Sequence, residues 1–253
     1  MRTVLFANGR VGRDAIGWLR ERGTGIAGLV VHPDAAAREK DAILAAARLD
    51  PARVLEAPAL RSEAGVAKLA SFGGEIGLSL YFAYLLQPAV LELFPRGVVN
   101  LHPGYLPYNR GRYTNVWSIV DSTPAGVTLH YVDAGVDTGD LIERRRVPVT
   151  PYDTGLTLHR RLEDASLALL RETWPAIEAG TAPREPQDGA QATLHRAKDV
   201  EVLDRLDLDR PTTARELIDL LRARTFPPHA GAYFEVEGQR VYVRVALLRE
   251  DEL

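Results

Sequence analysis

From Thr3 onward the chain alternates short apolar runs with stretches in which apolar residues recur every three or four positions. The runs Thr3-Val4-Leu5-Phe6-Ala7 and Gly25 to Val31 predict strands, and the segments near Val11 to Arg22 and Ala35 to Arg48 predict helices. Further strands are expected at Ile76 to Leu80 and Val98 to Leu101, with a helix near Pro88 to Phe94 between them. Strands fed by crossover helices in this way predict an α/β fold: an open, doubly wound, mostly parallel sheet whose ligands gather beyond the carboxyl ends of its strands.

Downstream, a helix is expected near Thr114 to Asp121, then strands from Gly126 to Tyr131 and from Asp140 to Pro148, joined by the polar, glycine-rich turn Asp133 to Gly139. Leu156, Leu158, Leu162, Leu167, Leu169 and Leu170 recur at near-helical spacing and predict a long helix from Gly155 to about Glu178, ended by Gly180. The stretch Thr181 to Asp199, with its prolines, glycines and glutamines, reads as a connector. Two parts follow: a catalytic domain over residues 1–182 and a small extension over 183–253. In the extension, Thr213 and Glu216 have capping-box spacing for a helix to Arg224. The runs Tyr233 to Val236 and Val241 to Val245 flank Glu237-Gly238 as a hairpin. Tyr233, Phe234, Tyr242 and Val243 exceed what a lone hairpin hides, so they either form a homodimer surface or pack on the core.

Composition narrows the chemistry. With 253 residues, 46% hydrophobic and 26% charged, the chain has the make-up of an ordinary globular protein. It contains no cysteine, which removes disulfides, thiolate metal sites and cysteine nucleophiles, and no metal site is expected. No signal-like or membrane-length apolar stretch is visible, so a cytoplasmic location without membrane contact is expected. The net charge of −3 disfavours nucleic acid as a partner, although Arg144-Arg145-Arg146 leaves a local basic patch open.

The informative segment is Val98-Val99-Asn100-Leu101-His102-Pro103-Gly104-Tyr105-Leu106-Pro107, followed by Val136-Asp137-Thr138-Gly139-Asp140. Asn100 and His102 lie two apart near a strand end, so both side chains project from one face into the crevice where such sheets bind ligands. A carboxylate in the later turn can orient the imidazole and stabilise its charged form. Asp137 is the candidate, with Asp133 and Asp140 as competitors that the spacing does not rank. An amide donor, a proton-shuttling imidazole and a tuning acid together suit acyl transfer to an amine. Taken singly, each of the three has a structural use: strand-end cap, satisfied buried histidine, turn former.

These residues resemble the folate-dependent formyltransferase family, which includes enzymes acting on glycinamide ribonucleotide, methionyl-tRNA and amino sugars. The resemblance runs from about Thr3 to Gly180 and is strongest over Asn100 to Gly111 and Gly126 to Asp140. It implies a formyltransferase Rossmann-like core and places the family's catalytic asparagine, histidine and aspartate on Asn100, His102 and Asp137. It implies N10-formyltetrahydrofolate as cosubstrate, held largely by backbone at Phe82, Tyr84, Leu85 and Leu86 and at Val136 and Thr138. The run Tyr108 to Ser118 is most similar to the nucleotide-sugar N-formyltransferases. It places Tyr108, Asn109, Arg110 and Tyr113 on the acceptor side, with His130 nearby, whereas Trp117 is expected to anchor its helix in the core.

The expected acceptor is therefore the exocyclic amine of a nucleotide-linked amino deoxysugar. Methionyl-tRNA or another small amine is the first rival, although about 55 residues after the connector are thin for the barrel that the tRNA enzymes carry. A non-catalytic nucleotide-sugar or folate-binding module is the second. The turn Asn8-Gly9-Arg10-Val11-Gly12 lacks the full glycine fingerprint of a dinucleotide site, and its glycines are read as backbone necessities, with an acceptor contact left open. His159, beside Arg160 and Arg161, is expected at the surface.

Overall fold

A computed structural model describes the chain from Met1 to Leu253. Its first half runs β1 (Arg2–Ala7), α1 (Gly9–Glu21), β2 (Gly25–Val31), α2 (Lys40–Ala47), β3 (Val54–Glu56), α3 (Glu63–Ala70), β4 (Ile76–Leu80), α4 (Pro88–Leu91) and β5 (Val98–His102). Then follow β6 (Arg110–Gly111), α5 (Thr114–Val120), β7 (Gly126–Tyr131), β8 (Leu141–Arg146), α6 (Gly155–Ala179), β9 (Leu194–His195), α7 (Glu201–Asp204), α8 (Ala214–Arg224), β10 (Tyr233–Val236) and β11 (Gln239–Tyr242). Seven strands form one sheet in the order β3-β2-β1-β4-β5-β7-β8. The pairs β2 with β3, β1 with β2, β1 with β4 and β4 with β5 are parallel, whereas β7 runs antiparallel to β5. All five residues of β4 are buried, as expected of a central strand covered on both faces.

By internal contacts the chain divides into two compact units. One comprises Met1–His102, Thr128–Arg144 and Ser166–Gln187; the other comprises Pro103–Val127, Arg145–Ala165 and Asp188–Leu253. The first has a core built around Val4, Phe6, Val30, Leu69, Phe72, Val90, Phe94 and Val98. Its Phe6 meets Phe82 and Phe94 edge-on, with ring centroids 5.5 and 6.0 Å apart. In the second unit, buried Arg222 donates from Nη1 to the carbonyls of Thr150 and Asp153, at 3.1 and 3.0 Å. The buried Asp153 carboxylate accepts the Thr150 N–H and the Thr157 hydroxyl, so the approach to α6 is fixed by polar contacts.

Most predicted elements are present, with informative shifts. The helix expected from Ala35 begins at Lys40, because Glu39 sits at a left-handed φ of 55° that a right-handed helix cannot continue through. The preceding backbone is engaged elsewhere: the Arg38 N–H donates to Asn8 Oδ1 at 2.8 Å and its carbonyl accepts the Gly9 N–H at 3.0 Å. Strand β3 is too short for any hydrophobic period to be legible. The strand expected over Asp140 to Pro148 is confined to Leu141–Arg146. The hairpin's second strand starts at Gln239 rather than Val241, because Glu237 and Gly238 both have positive φ, 50° and 76°. That is the two-residue primed turn, which forces pairing to begin at once, Val236 opposite Gln239. Helix α8 carries the expected capping box: Thr213 Oγ1 accepts the Glu216 N–H and the Glu216 carboxylate accepts the Thr213 N–H. No helix is long and apolar enough to cross a membrane.

Candidate active site

The strand register assembles the site. Asn100 on β5 stands directly opposite His130 on β7, and His102 stands opposite Thr128. Residues paired across adjacent strands share a face, as do residues two apart on one strand, so Asn100, His102 and His130 project to the same side. Pairing with an antiparallel neighbour therefore adds a second imidazole that the spacing of Asn100 and His102 does not announce.

The carboxylate arrives from the turn between β7 and β8. Tyr131 donates its N–H to the Asp140 carbonyl at 2.8 Å, closing the loop. Asp133 Oδ1 accepts from the Gly135 N–H at 3.0 Å and from the Thr138 hydroxyl at 2.6 Å, which shapes the turn from within. Asp137 itself adopts a left-handed φ of 51°. Gly139 is forced by its surroundings: a Cβ there would lie 2.0 Å from the Tyr131 carbonyl oxygen. Among the three competing acids, then, Asp133 is a turn former and Asp137 is the one aimed at the imidazoles.

The distances are close. Asp137 Oδ2 lies 3.6 Å from His102 Nδ1, and Asp137 Oδ1 lies 3.6 Å from His130 Nε2. Asn100 Nδ2 is 3.1 Å from His130 Nε2 and 3.4 Å from Asp137 Oδ1. The His130 Nδ1 lies 2.8 Å from the Tyr131 carbonyl, which can only accept, so Nδ1 carries a hydrogen. In neutral His130, Nε2 is then a lone pair, and it accepts from the Asn100 amide. This fixes the amide orientation, because the flipped amide would aim its oxygen at a carboxylate and a lone pair. The His102 and Asp137 side chains are only 5% and 16% exposed. A carboxylate at this range favours the charged form of an imidazole, whereas burial opposes it.

The other expected residues fall into distinct environments. Phe82 is buried against Phe6 and His32, so its side chain is core. Tyr84 and Leu86 are half-buried and Leu85 is 68% exposed, which presents an apolar surface on the same loop. Val136 and Thr138 flank Asp137 and are half-buried. Tyr108 is half-buried and donates its hydroxyl to Gln191. Tyr113 is 41% exposed, at a left-handed φ of 57°. Arg110 is half-buried in β6, which pairs with β9.

Two of the residues expected on the acceptor side are buried. Asn109 is fully buried and its amide donates to the Ser118 and Thr123 hydroxyls at 3.0 and 2.8 Å, which engages it within its own loop. His130, also expected on the acceptor side, is 1% exposed and spends its ring nitrogens within the polar cluster. His159 is likewise not a free surface group: it is partly buried beside Glu163, 3.5 Å away, and against the Phe226 ring. Trp117 is buried as expected, and His195 stacks on it at 4.0 Å and 8°. At the Asn8 turn, Gly9 has a φ of +65° and a Cβ on Gly12 would meet the Ala7 side chain at 3.1 Å, so both glycines have backbone reasons. Residues that sequence reasoning missed include His32, whose Nε2 accepts the Ala83 N–H at 3.3 Å, and Gln187 beside the Asp137 turn. The chain presents no group of three or more His, Asp or Glu placed to hold a metal ion.

Residues 1–173 match the family described as formyl transferase. The chain belongs to the formyl transferase family. In this formyl transferase, residues 199–249 also match the N-formyltransferase dimerization C-terminal domain. A curated relative, the dTDP-4-amino-4,6-dideoxyglucose formyltransferase of Mycobacterium tuberculosis, is 36% identical over 150 residues, covering 59% of this chain. The match spans 64% of that relative's length. Among solved structures, the formyltransferase PseJ from Anoxybacillus kamchatkensis, in complex with UDP-4,6-dideoxy-4-formamido-L-AltNAc and tetrahydrofolate, is 28% identical with a TM-score of 0.57, over 80% of this chain and 89% of that one. A 4-N formyltransferase from Francisella tularensis shares the fold, with a TM-score of 0.82 at 22% identity over 98% of both chains.

Proposed function

We propose that this formyl transferase moves the formyl group of N10-formyltetrahydrofolate to the exocyclic amine of a nucleotide-linked amino deoxysugar. The observation that carries the reading is the approach of Asn100, His102 and His130 to one carboxylate, that of Asp137, each within 3.6 Å of it. Two relatives support the acceptor class: the mycobacterial enzyme is named for a dTDP-linked amino sugar, and PseJ is seen with a UDP-linked formamido sugar and tetrahydrofolate.

In this reading His102 takes up the proton that the attacking amine sheds and returns it to the departing nitrogen, while Asp137 stabilises the charged imidazole in between. Asn100 stabilises negative charge on the formyl oxygen. Its bond to His130, 3.1 Å, fixes the amide, whereas its contact to Asp137, 3.4 Å, is long and is the one that an incoming oxygen displaces. His130 acts by orienting Asn100. The folate supplies the activated one-carbon acyl group. For it we propose the backbone of residues 82–86 and 136–138, where exposed Leu85 beside Tyr84 offers an apolar face suited to a flat ring.

For the acceptor we propose Arg110, suited to phosphate, with Tyr108 and Tyr113. The chemistry belongs to residues 1–182, and residues 183–253 form an extension through which two copies associate. The test is to incubate the protein with formyl donor and a panel of nucleotide-linked 3-amino and 4-amino deoxysugars and follow product mass. A donor-dependent gain of one formyl group is expected on at least one sugar; no gain on any of them sinks the reading.

A further inference from the structure

Past the end of α6 the chain does not simply leave the sheet. The Arg184 guanidinium lies over the Tyr131 ring at 3.4 Å, and Glu185 exchanges both backbone hydrogen bonds with Leu141, at 2.8 and 3.0 Å, as an antiparallel bridge. Two residues later the Gln187 carboxamide reaches the turn that carries Asp137. The two hydrogens on its Nε2 donate to the Asp137 carbonyl at 2.9 Å and to the Gly139 carbonyl at 2.7 Å. One side chain thus ties together the two carbonyls on either side of Thr138.

The tie sits where the backbone is strained. Asp137 is held at a left-handed φ of 51°, a conformation that costs a residue with a Cβ on the order of 1 kcal/mol or more and persists only when its surroundings impose it. The Asp133 bonds to Gly135 and Thr138 shape the turn from inside; Gln187 is the clamp from outside, on the carbonyl of Asp137 itself. Both 3.6 Å approaches of the carboxylate, to His102 and to His130, depend on that φ. A turn released from the clamp can relax toward right-handed backbone, which swings the carboxylate away from the imidazoles.

We infer that Gln187 is a positioning residue for the transfer reaction, acting through Asp137 and reaching it from the connector, outside the segment in which the chemistry is otherwise placed. The inference rests on the function proposed above. A misplacement on the scale of an ångström costs about 10- to 100-fold in rate without altering acceptor binding.

The test uses the full-length protein with Gln187→Met, which keeps volume and charge but removes both donors, and Gln187→Asn, which keeps the donors but falls one methylene short. Formyl transfer is measured beside NMR titration of the His102 imidazole, with Asp137→Asn as reference. Both Gln187 variants are expected to lose about 10- to 100-fold in kcat with acceptor KM within about two-fold of the parent. Their His102 titration midpoint is expected to move down, toward that of Asp137→Asn, because a receding carboxylate no longer favours the charged ring. A parent-like kcat and titration in both variants overturns the inference, as does a lowered melting temperature with kcat preserved. An unmodified protein that formylates nothing overturns the proposed function instead, and the titration arm still decides whether Gln187 places the carboxylate.

Discussion

At the ends of β5 and β7, polar side chains are buried; along β10 and β11, apolar ones are exposed. His130 and His102 are 1% and 4% accessible, whereas Val236, Val241 and Tyr242 are 46%, 43% and 48% accessible. Each region inverts the usual distribution, and each inversion carries a cost that a lone folded chain has no reason to bear. Buried imidazoles opposite a carboxylate are explained by chemistry. An apolar hairpin left in water is explained by a partner surface, in agreement with the dimerization-domain match over residues 199–249. Polar groups assembled to react and apolar groups assembled to associate should therefore fail in different ways when altered.

The largest effect is expected at His102. His102→Ala removes the proposed proton carrier and should lower kcat by about 10²- to 10⁴-fold, read by formyl transfer under saturating substrates. Asn100→Ala should follow at about 100-fold, roughly 3 kcal/mol, the usual loss of one donor to developing negative charge. Neither change should alter the number of chains per particle. On the hairpin the expectation reverses: Val241→Glu together with Tyr242→Ser should shift the proposed dimer to monomer by light scattering. Turnover per chain should stay within about two-fold, since neither residue belongs to the reacting set. A hairpin double variant that stays dimeric, or one that loses turnover as severely as His102→Ala, breaks the contrast between the two regions.

The smallest expected effect concerns His195, a partly buried titratable group that the proposed reaction does not use. It stacks on Trp117 with Asp121 Oδ2 3.3 Å from its Nε2, without the alignment of a hydrogen bond. Burial pushes the His195 imidazole down, against the opposing pull of Asp121, and burial pushes the Asp121 carboxyl up. A histidine whose folded value is depressed binds fewer protons folded than unfolded. Its contribution to stability is thus complete above the unfolded value of about 6.5 and declines as pH falls below it. Asp121 acts in the opposite sense, but only nearer the carboxylate range of about 4. Melting temperature should therefore decline from about pH 7 to about pH 5 more steeply in the parent than in His195→Phe, which keeps the stack without the titration. Equal slopes contradict this assignment.

What was legible in the sequence follows from how local the cause is. Asn100 and His102 were legible because the period of a strand puts residues two apart on one face, and the apolar runs fix where the strand lies. Asp137 could not be ranked above Asp133 and Asp140 by spacing, since the choice depends on which carboxylate the turn spends on its own backbone, and Asp133 spends itself on Gly135 and Thr138. His130 was visible near the site, but its part depends on an antiparallel register that no local pattern states. Asn109 was placed on the acceptor side by the resemblance alone; its hydrogen-bond partners Ser118 and Thr123, 9 and 14 residues away, could not be read from local pattern. Gln187 was illegible for the same reason at longer range: it meets backbone carbonyls 50 and 48 residues earlier, and carbonyls carry no sequence signature.

The decisive experiment is a double-mutant cycle on kcat for His102→Ala and Asp137→Asn, alone and combined. If the acid works through the imidazole, the combined variant should be no slower than His102→Ala, because Asp137 has nothing left to stabilise once the ring is gone. Losses that simply multiply would mean that the two groups act separately, and the account of one coupled centre would be wrong.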